Sequence, residues 1–245
     1  MITQNLRHTA FQYFLFLVGI FTISLGIAFS TCSGLGTTPL ASFPYALSLG
    51  LSPSMGTFMM MLNLACFLGQ VLLLRKNFPK LWILQIPAAF VFGWMTDFSN
   101  YLLSWLQPSS YGTQLLCLAA GIFFVAAGLS IEVSANTIML SVDGFVKAVV
   151  IATKKNFGII KVAFDITLVS LSVLCSLLMV GGIEGVREGT VLAALLVGTL
   201  SRILTPLLNG YLPKPRSSVS VTLTKKSTSS EISDSKKEVS DGTIV

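Results

Sequence analysis

Six times along the chain an apolar run of about 20 residues passes with almost no charge, and no other feature restricts the fold as hard. The runs cover about 11–30, 55–74, 81–105, 113–132, 158–180 and 190–209. A helix of ~20 residues matches the ~30 Å hydrocarbon core of a bilayer. The fold class predicted is therefore all-α, a polytopic transmembrane helical bundle of six spans. Composition agrees: 53% of the 245 residues are hydrophobic and 11% charged, where a water-soluble domain carries roughly 25% charged residues.

The net charge of +6 does not point to nucleic acid. The Lys and Arg residues lie in short loops and the C-terminal tail, and no basic stripe interleaved with aromatics occurs. The partner expected is the lipid bilayer. Cys32, Cys66, Cys117 and Cys175 are far apart and His8 is the single histidine, so no metal-type spacing exists and no metal or cofactor is expected. The cysteines read as small core- or lipid-facing side chains. The first run, about Phe11 to Phe29, exceeds the ~7–15 apolar residues of a signal peptide and is read as a retained helix.

Two further apolar stretches are shorter and interrupted. One, about 35–50, carries Thr37, Thr38, Pro39, Ser42 and Pro44; the other, about 137–152, carries Ser141, Asp143, Gly144 and Lys147, with Asn136 just ahead of it. Lipid offers no partner for freed backbone groups, so each is expected to be a re-entrant or broken segment buried in protein, or an amphipathic helix at the interface. Loop charge orients the spans. Arg7, the group Arg75, Lys76 and Lys80, the pair Lys154 and Lys155, and Lys214 with Arg216 mark one side. The loops 106–112 and 181–189 lack such an excess, Arg187 being offset by Glu184 and Glu188. Positive charge stays in the cytoplasm, which predicts six spans with both termini cytoplasmic.

An internal repeat emerges at an offset of 102 residues. Gly19-Ile20-Phe21 with Gly26 recurs as Gly121-Ile122-Phe123 with Gly128, Gly56 recurs as Gly158, and Asn63 is matched by Asp165. With a three-residue gap, Gly93-Trp94-Met95-Thr96 aligns with Gly198-Thr199-Leu200-Ser201. Each half runs span, short segment, span, span. Three spans is an odd number, so the second half is predicted to lie inverted, the plan of many secondary transporters. The organisation expected is a cytoplasmic N-terminus (1–10), a first membrane repeat (11–106), a second (113–210) and a polar tail (211–245) with the composition of a disordered segment.

The string Gly34-Leu35-Gly36-Thr37-Thr38-Pro39-Leu40-Ala41-Ser42-Phe43-Pro44-Tyr45, followed by Ser54-Met55-Gly56-Thr57 and Asn63, resembles the bacterial YczE/YyaS/YitT family of small membrane proteins. Gly185-Val186-Arg187-Glu188-Gly189-Thr190 and Leu195-Leu196-Val197-Gly198 resemble the family's closing pattern before the last helix. The likeness covers about residues 10–210. It implies the helical architecture and a bacterial cytoplasmic membrane, and supplies no substrate or catalytic residue.

Ionisable groups deep in a span usually face protein interior or water. Asp165 lies about eight residues into the fifth span, roughly 12 Å deep at 1.5 Å per residue, and Asn63 at a similar depth from the other side. The two either meet as a substrate or ion site, or Asp165 pairs with Lys161 one turn earlier. Asn136 and Asp143 either contact a solute, or Asp143 pairs with Lys147 at i,i+4. Thr37, Thr38 and Ser42 either bring a half-helix N-terminus to an anion, or the threonines simply cap it. Asp97 and Glu132 sit toward span ends, where headgroups are expected to solvate them. Gln70 and Gln85 are expected to bond between helices, Arg202 to snorkel or find a carboxylate, and Glu184, Arg187 and Glu188 to form a solvated outer loop.

No His-based dyad, Gly-x-Ser-x-Gly or Walker loop occurs, so an enzyme is not expected. Two functional classes remain. One is a small permease for a solute or ion, working by rocking of its halves; the other is a non-transporting accessory, sensing or scaffold protein. The glycine faces at Gly19 and Gly26 suit packing within one chain or in a homo-oligomer.

Overall fold

The structure is a computed structural model that describes residues 2–75, 78–135, 137–182 and 185–211. Among them lie eight α-helices: α1 (Ile2–Ser33), α2 (Pro39–Gly50), α3 (Met55–Leu74), α4 (Gln85–Leu102), α5 (Tyr111–Ala135), α6 (Ser141–Thr153), α7 (Phe157–Met179) and α8 (Glu188–Tyr211). A 3₁₀ turn, Lys80–Leu84, leads into α4. Six helices are long and apolar enough to cross a membrane: Ala10–Ser33, Met55–Leu74, Leu81–Leu102, Tyr111–Ala135, Phe157–Met179 and Glu188–Leu208. These agree with the expected spans to within a few residues. The tail from residue 212 onward, like Asn136, lies outside the described residues.

Helices α2 and α6 have 12 and 13 residues, about 18–20 Å at 1.5 Å per residue, too short to cross ~30 Å of hydrocarbon. Each turns a small-residue face into protein: Ala41, Ser42, Pro44 and Ala46 of α2, and Ser141, Gly144, Val146 and Ala148 of α6, are buried. Pro39 at the first position of α2 fits there because that N–H has no helical partner anyway.

The centre of the bundle is the crossing of α1 with α5, the most extensive packing in the molecule. It is made by the four repeated glycines. A Cβ on Gly26 would lie 2.5 Å from the Val125 N and 2.7 Å from the Gly121 O; one on Gly128 would lie 2.6 Å from the Ile23 N and 2.7 Å from the Gly19 O. Gly19 thus faces Gly128 while Gly26 faces Gly121, so the helices run antiparallel with their backbones in contact. Small residues permit this approach between membrane helices. Phe16, Ile20, Ile23 and Ile27 of α1 join Val125 of α5, Met59 of α3 and Phe92 of α4 in the main apolar core.

Around this crossing the packing comes in matched sets. α4 lies on α1 as α8 lies on α5, α2 packs against α7 as α6 packs against α3, and α2 touches α3 as α6 touches α7. One pairing has no counterpart: α3 packs along α4, with Gly56 against Gly93, whereas α7 and α8 do not pack along each other. The N-terminus of α3 is held from α4 by Asp97, which accepts from the Ser54 hydroxyl at 2.6 Å and from the Gly56 N–H at 2.8 Å. Asp97 is therefore a cap across two helices, favoured by the positive end of the helix dipole, beyond the solvated end-group its position predicts.

Gly26→Leu is expected to destabilise the protein by about 1–3 kcal/mol, the usual penalty for overpacking. Gly198→Ala, at a position with nothing within 4 Å, is expected to be neutral or to stabilise by up to ~1 kcal/mol through helix propensity. Thermal unfolding of the two variants in detergent checks the contrast.

Candidate functional site

The polar residues of the interior gather around the first turn of α6. Gln70 of α3 donates from its amide to the Ser141 carbonyl at 2.7 Å and to the Gln85 Oε1 of α4 at 3.0 Å. Both glutamines are fully buried, and they tie three helices together as the sequence predicts. Gly144 makes the approach possible, since a Cβ there would lie 2.7 Å from the Gln70 Oε1 and 2.9 Å from the Gln85 Nε2. Glu132, near the end of α5, accepts the Leu140 N–H at 2.8 Å and is only 3% exposed. That corrects the expectation of a solvated end-group: the chain leading into α6 returns to the end of α5, where the Leu140 N–H engages the carboxylate.

At the edge of this region α6 meets α7 through charge. Lys161 hydrogen-bonds Asp143 at 3.1 Å and lies 3.3 Å from Asp165, a contact that is electrostatic without hydrogen-bond alignment. The three side chains are 22–30% exposed, so the triad is reachable from outside the protein. The expected Asp143–Lys147 pair is not the one formed. α7 passes alongside α6 and brings Lys161 to Asp143 instead. Asp165 does pair with Lys161, as one of the two expectations had it.

Asn63 is fully buried, donates its amide to the Met59 carbonyl at 2.9 Å, and leaves its Oδ1 without a partner among the described residues. No hydrogen bond or ion pair joins Asn63 to Asp165. All four cysteines are free.

Thr37, Thr38 and Ser42 stand elsewhere, where α2 begins. The Thr37 N–H donates to the Gly185 carbonyl at 3.0 Å, and its hydroxyl lies 3.4 Å from the same atom. Thr38 occupies the N-cap of α2 but makes no side-chain cap, and its hydroxyl has no partner among the described residues. The threonines are thus not caps. Ser42 donates to the Pro39 carbonyl, and its own carbonyl accepts the Ser172 hydroxyl of α7 at 2.8 Å. The Gly189 N–H donates to the Leu35 carbonyl at 2.9 Å, and Arg187 reaches the Gly34 carbonyl at 3.2 Å. The segment before α8, expected as a solvated loop, in part clamps the start of α2. Arg202 is exposed and makes no ion pair among the described residues.

The structure therefore gathers Asp143 and Asp165 with Lys161, places Glu132, Gln70, Gln85 and Ser141 beside them, and leaves Thr37, Thr38 and Ser42 at a separate contact. Asn136 lies outside the described residues. Glu132 and Lys161 were not among the site residues read from sequence. The available signal for Glu132 was that the helix after it is too short to cross the bilayer, so its first N–H groups stay within the protein and need an acceptor there.

Residues 10–206 match a family of unknown function, DUF6198. The chain belongs to that family. It is also 24% identical over 201 residues to the uncharacterized protein YyaS of Bacillus subtilis (strain 168), covering 82% of this chain and 95% of YyaS. The resemblance thus holds for YyaS, while nothing in these comparisons supports the wider YitT assignment. No solved structure matches the chain.

Lys161→Met is expected to leave two carboxylates facing each other without a cation. It should destabilise by an amount between the ~1 kcal/mol of an exposed pair and the ~3 kcal/mol of a buried one. Asp165→Asn, which leaves the hydrogen-bonded Lys161–Asp143 pair intact, should cost less. Gln70→Leu orphans Gln85 and the Ser141 carbonyl together and is expected to cost ~2 kcal/mol. Thermal unfolding of the three variants against the parent ranks them.

Proposed function

We propose that the protein is a small permease made of two inverted three-span repeats, which moves a small solute or ion across a bacterial cytoplasmic membrane. The observation that carries this reading is the matched packing and its single exception. Exchanging α1 with α5, α2 with α6, α3 with α7 and α4 with α8 leaves the set of helix contacts unchanged apart from α3–α4. Individual contacts follow the same exchange. Residue 70 of α3 donates a side-chain hydrogen bond to a first-turn carbonyl of α6, and residue 172 of α7, 102 further on, donates one to a first-turn carbonyl of α2. Gly19 against Gly128 becomes, under that exchange, Gly121 against Gly26. A two-fold relation between antiparallel α1 and α5 needs an axis across the helices, as inverted repeats have.

The exception supplies the motion. Gly56 and Gly93 are pressed together where α3 crosses α4, while their counterparts Gly158 and Gly198 stand apart, neither near the other helix. In an alternating-access cycle the halves exchange conformations. The second state would close α7 on α8 through Gly158 and Gly198 and part α3 from α4. Access to the polar region at α6 would then switch sides. The loop charges support placing both termini in the cytoplasm.

The test is paired disulfide trapping in a background with Cys32, Cys66, Cys117 and Cys175 replaced by serine. The first pair of positions, Gly56 and Gly93, has no room for cysteines in this state, a Cβ on either pressing on the other's backbone oxygen; the second pair, Gly158→Cys with Gly198→Cys, is expected to crosslink within one chain in proteoliposomes and so to trap the second state. If the second pair never forms within a chain, α7 and α8 do not close, and a static accessory or scaffold protein is the better reading. Reporter fusions in the 106–112 loop are expected to report the outer side; a cytoplasmic signal there breaks the inverted plan.

A further inference from the structure

Glu132 is a buried carboxyl group with no cationic side chain paired with it among the described residues. One carboxylate oxygen accepts the Leu140 N–H at 2.8 Å; the other, Oε2, is buried and has no partner among the described residues. The nearby ammonium, Lys161, is already held between Asp143 and Asp165. No salt bridge among the described residues reaches Glu132, the most deeply buried of these carboxyl groups. An isolated ionised carboxylate in a low-dielectric interior is strongly unfavourable, so such groups pair, bind a cation or neutralise.

Other unpartnered oxygens are fixed at the same turn as the Glu132 carboxyl. The hydroxyl of Ser141, first residue of α6, and the Oε1 of Gln70 are likewise buried and unpartnered. Gln70 is fixed to this turn by its bond to the Ser141 carbonyl, and Glu132 by its bond to Leu140, the preceding residue. Three free oxygen acceptors are thus held at one helical turn. Capping α6 explains the oxygen on Leu140 and nothing about Oε2. The charged groups on the surrounding helices are Asp97 on α4, Asp143 and Lys147 on α6, Lys161 and Asp165 on α7, and Glu188 and the exposed Arg202 on α8; of these Asp143 and Lys161 act on Glu132 electrostatically. Cys66 of α3 is the other titratable group near the triad. α1 presents the Gly19 backbone, and α4 the neutral Gln85.

We propose that Glu132 is a binding site for a small monovalent cation, a proton or a sodium ion, taken up at Oε2 with Ser141 and Gln70 as flanking oxygens. Hard oxygen donors with a single negative charge suit such ligands. That the cation is the one the protein couples to or carries rests on the permease reading; that it binds does not.

The experiment uses the full chain in lipid nanodiscs and reads binding, not transport. In one arm sodium chloride replaces choline chloride at fixed pH and the unfolding temperature is followed. In the other, infrared difference spectra follow the protonated-carboxyl band as pH rises at fixed choline. A saturable sodium-dependent rise in unfolding temperature, absent in Glu132→Gln, identifies sodium. A protonated-carboxyl band that disappears with rising pH, absent in Glu132→Gln and insensitive to sodium, identifies the proton. If Glu132→Gln responds as the parent does in both arms, Glu132 is a cap only and the inference falls. Should Glu132→Gln fail to fold, Ser141→Ala keeps the carboxylate. It is expected to weaken sodium binding by about tenfold, the loss typical when a supporting ligand goes, or to move the pH at which the band disappears; no change in either sinks the idea. Cation binding without the Gly158–Gly198 crosslink would leave this site standing and remove the permease. The reverse result would do the opposite.

Discussion

The backbones of α1 and α5 touch, and the other helices are arranged on the frame that this contact sets. Four glycines at a spacing of seven residues, Gly19 and Gly26 facing Gly128 and Gly121, remove the side chains that would hold the axes apart. In lipid the hydrophobic effect gives helices little reason to associate, because lipid tails are as apolar as leucine, so close packing and hydrogen bonds must do it. The crossing is also the most extensive contact between the two halves of the sequence. α4 and α8 then lie against α1 and α5 respectively, and each short helix finds the third helix of the opposite half. Glu132 itself is tied to the crossing, since a Cβ on Gly19 would lie 3.0 Å from its backbone nitrogen.

A second constraint follows from the lengths of α2 and α6. Helices this short begin inside the protein, and their first N–H groups need partners that lipid does not provide. At α6 the partner is the Glu132 carboxylate, on Leu140. At α2 the first helical residue, Pro39, has no N–H to satisfy, and the Ala41 N–H donates to the Thr38 carbonyl at 2.9 Å. The two starts thus solve one problem by different means. The carboxyl solution brings an ionisable group into the interior, and the backbone solution brings none.

Spans were legible because their signal is length and apolarity, which tertiary context barely alters. The glycine repeat was legible as a spacing, although whether it served one chain or two copies required the contact between Gly26 and Gly121. The candidate site was legible only in part. Pairing within one helix, Lys161 with Asp165, follows from the 3.6-residue turn. Asp143 defeated that rule because α7 passes beside α6 and Lys161 of the neighbouring helix wins over Lys147 of its own. Glu132 was misplaced for a related reason: distance from the end of a span measures depth only where nothing folds back over that end. The threonines of the first short segment looked like caps because threonine is common there, but the start of α8 lies on them and takes the Thr37 contacts.

The charge distribution between the halves sharpens what a permease of this plan would have to do. Under the offset of 102, Glu132, Asp143, Lys161 and Asp165 correspond to Ser30, Ala41, Met59 and Asn63, all neutral. Whatever symmetry relates the backbones, then, it does not relate the electrostatics. Asn63, at the position matching Asp165, has no ionisable partner and donates instead to the Met59 backbone carbonyl. Two identical charged half-sites would hold a cation equally from both sides and favour neither direction of loading. A charged half facing a neutral one gives a single place where a cation is stabilised. Exchanging the conformations of the halves would then change which side that place opens to, without creating a second one. On the permease reading the chemistry would thus be one-sided, carried by Glu132 near the end of α5, Asp143 in the first turn of α6, and Lys161 and Asp165 of α7.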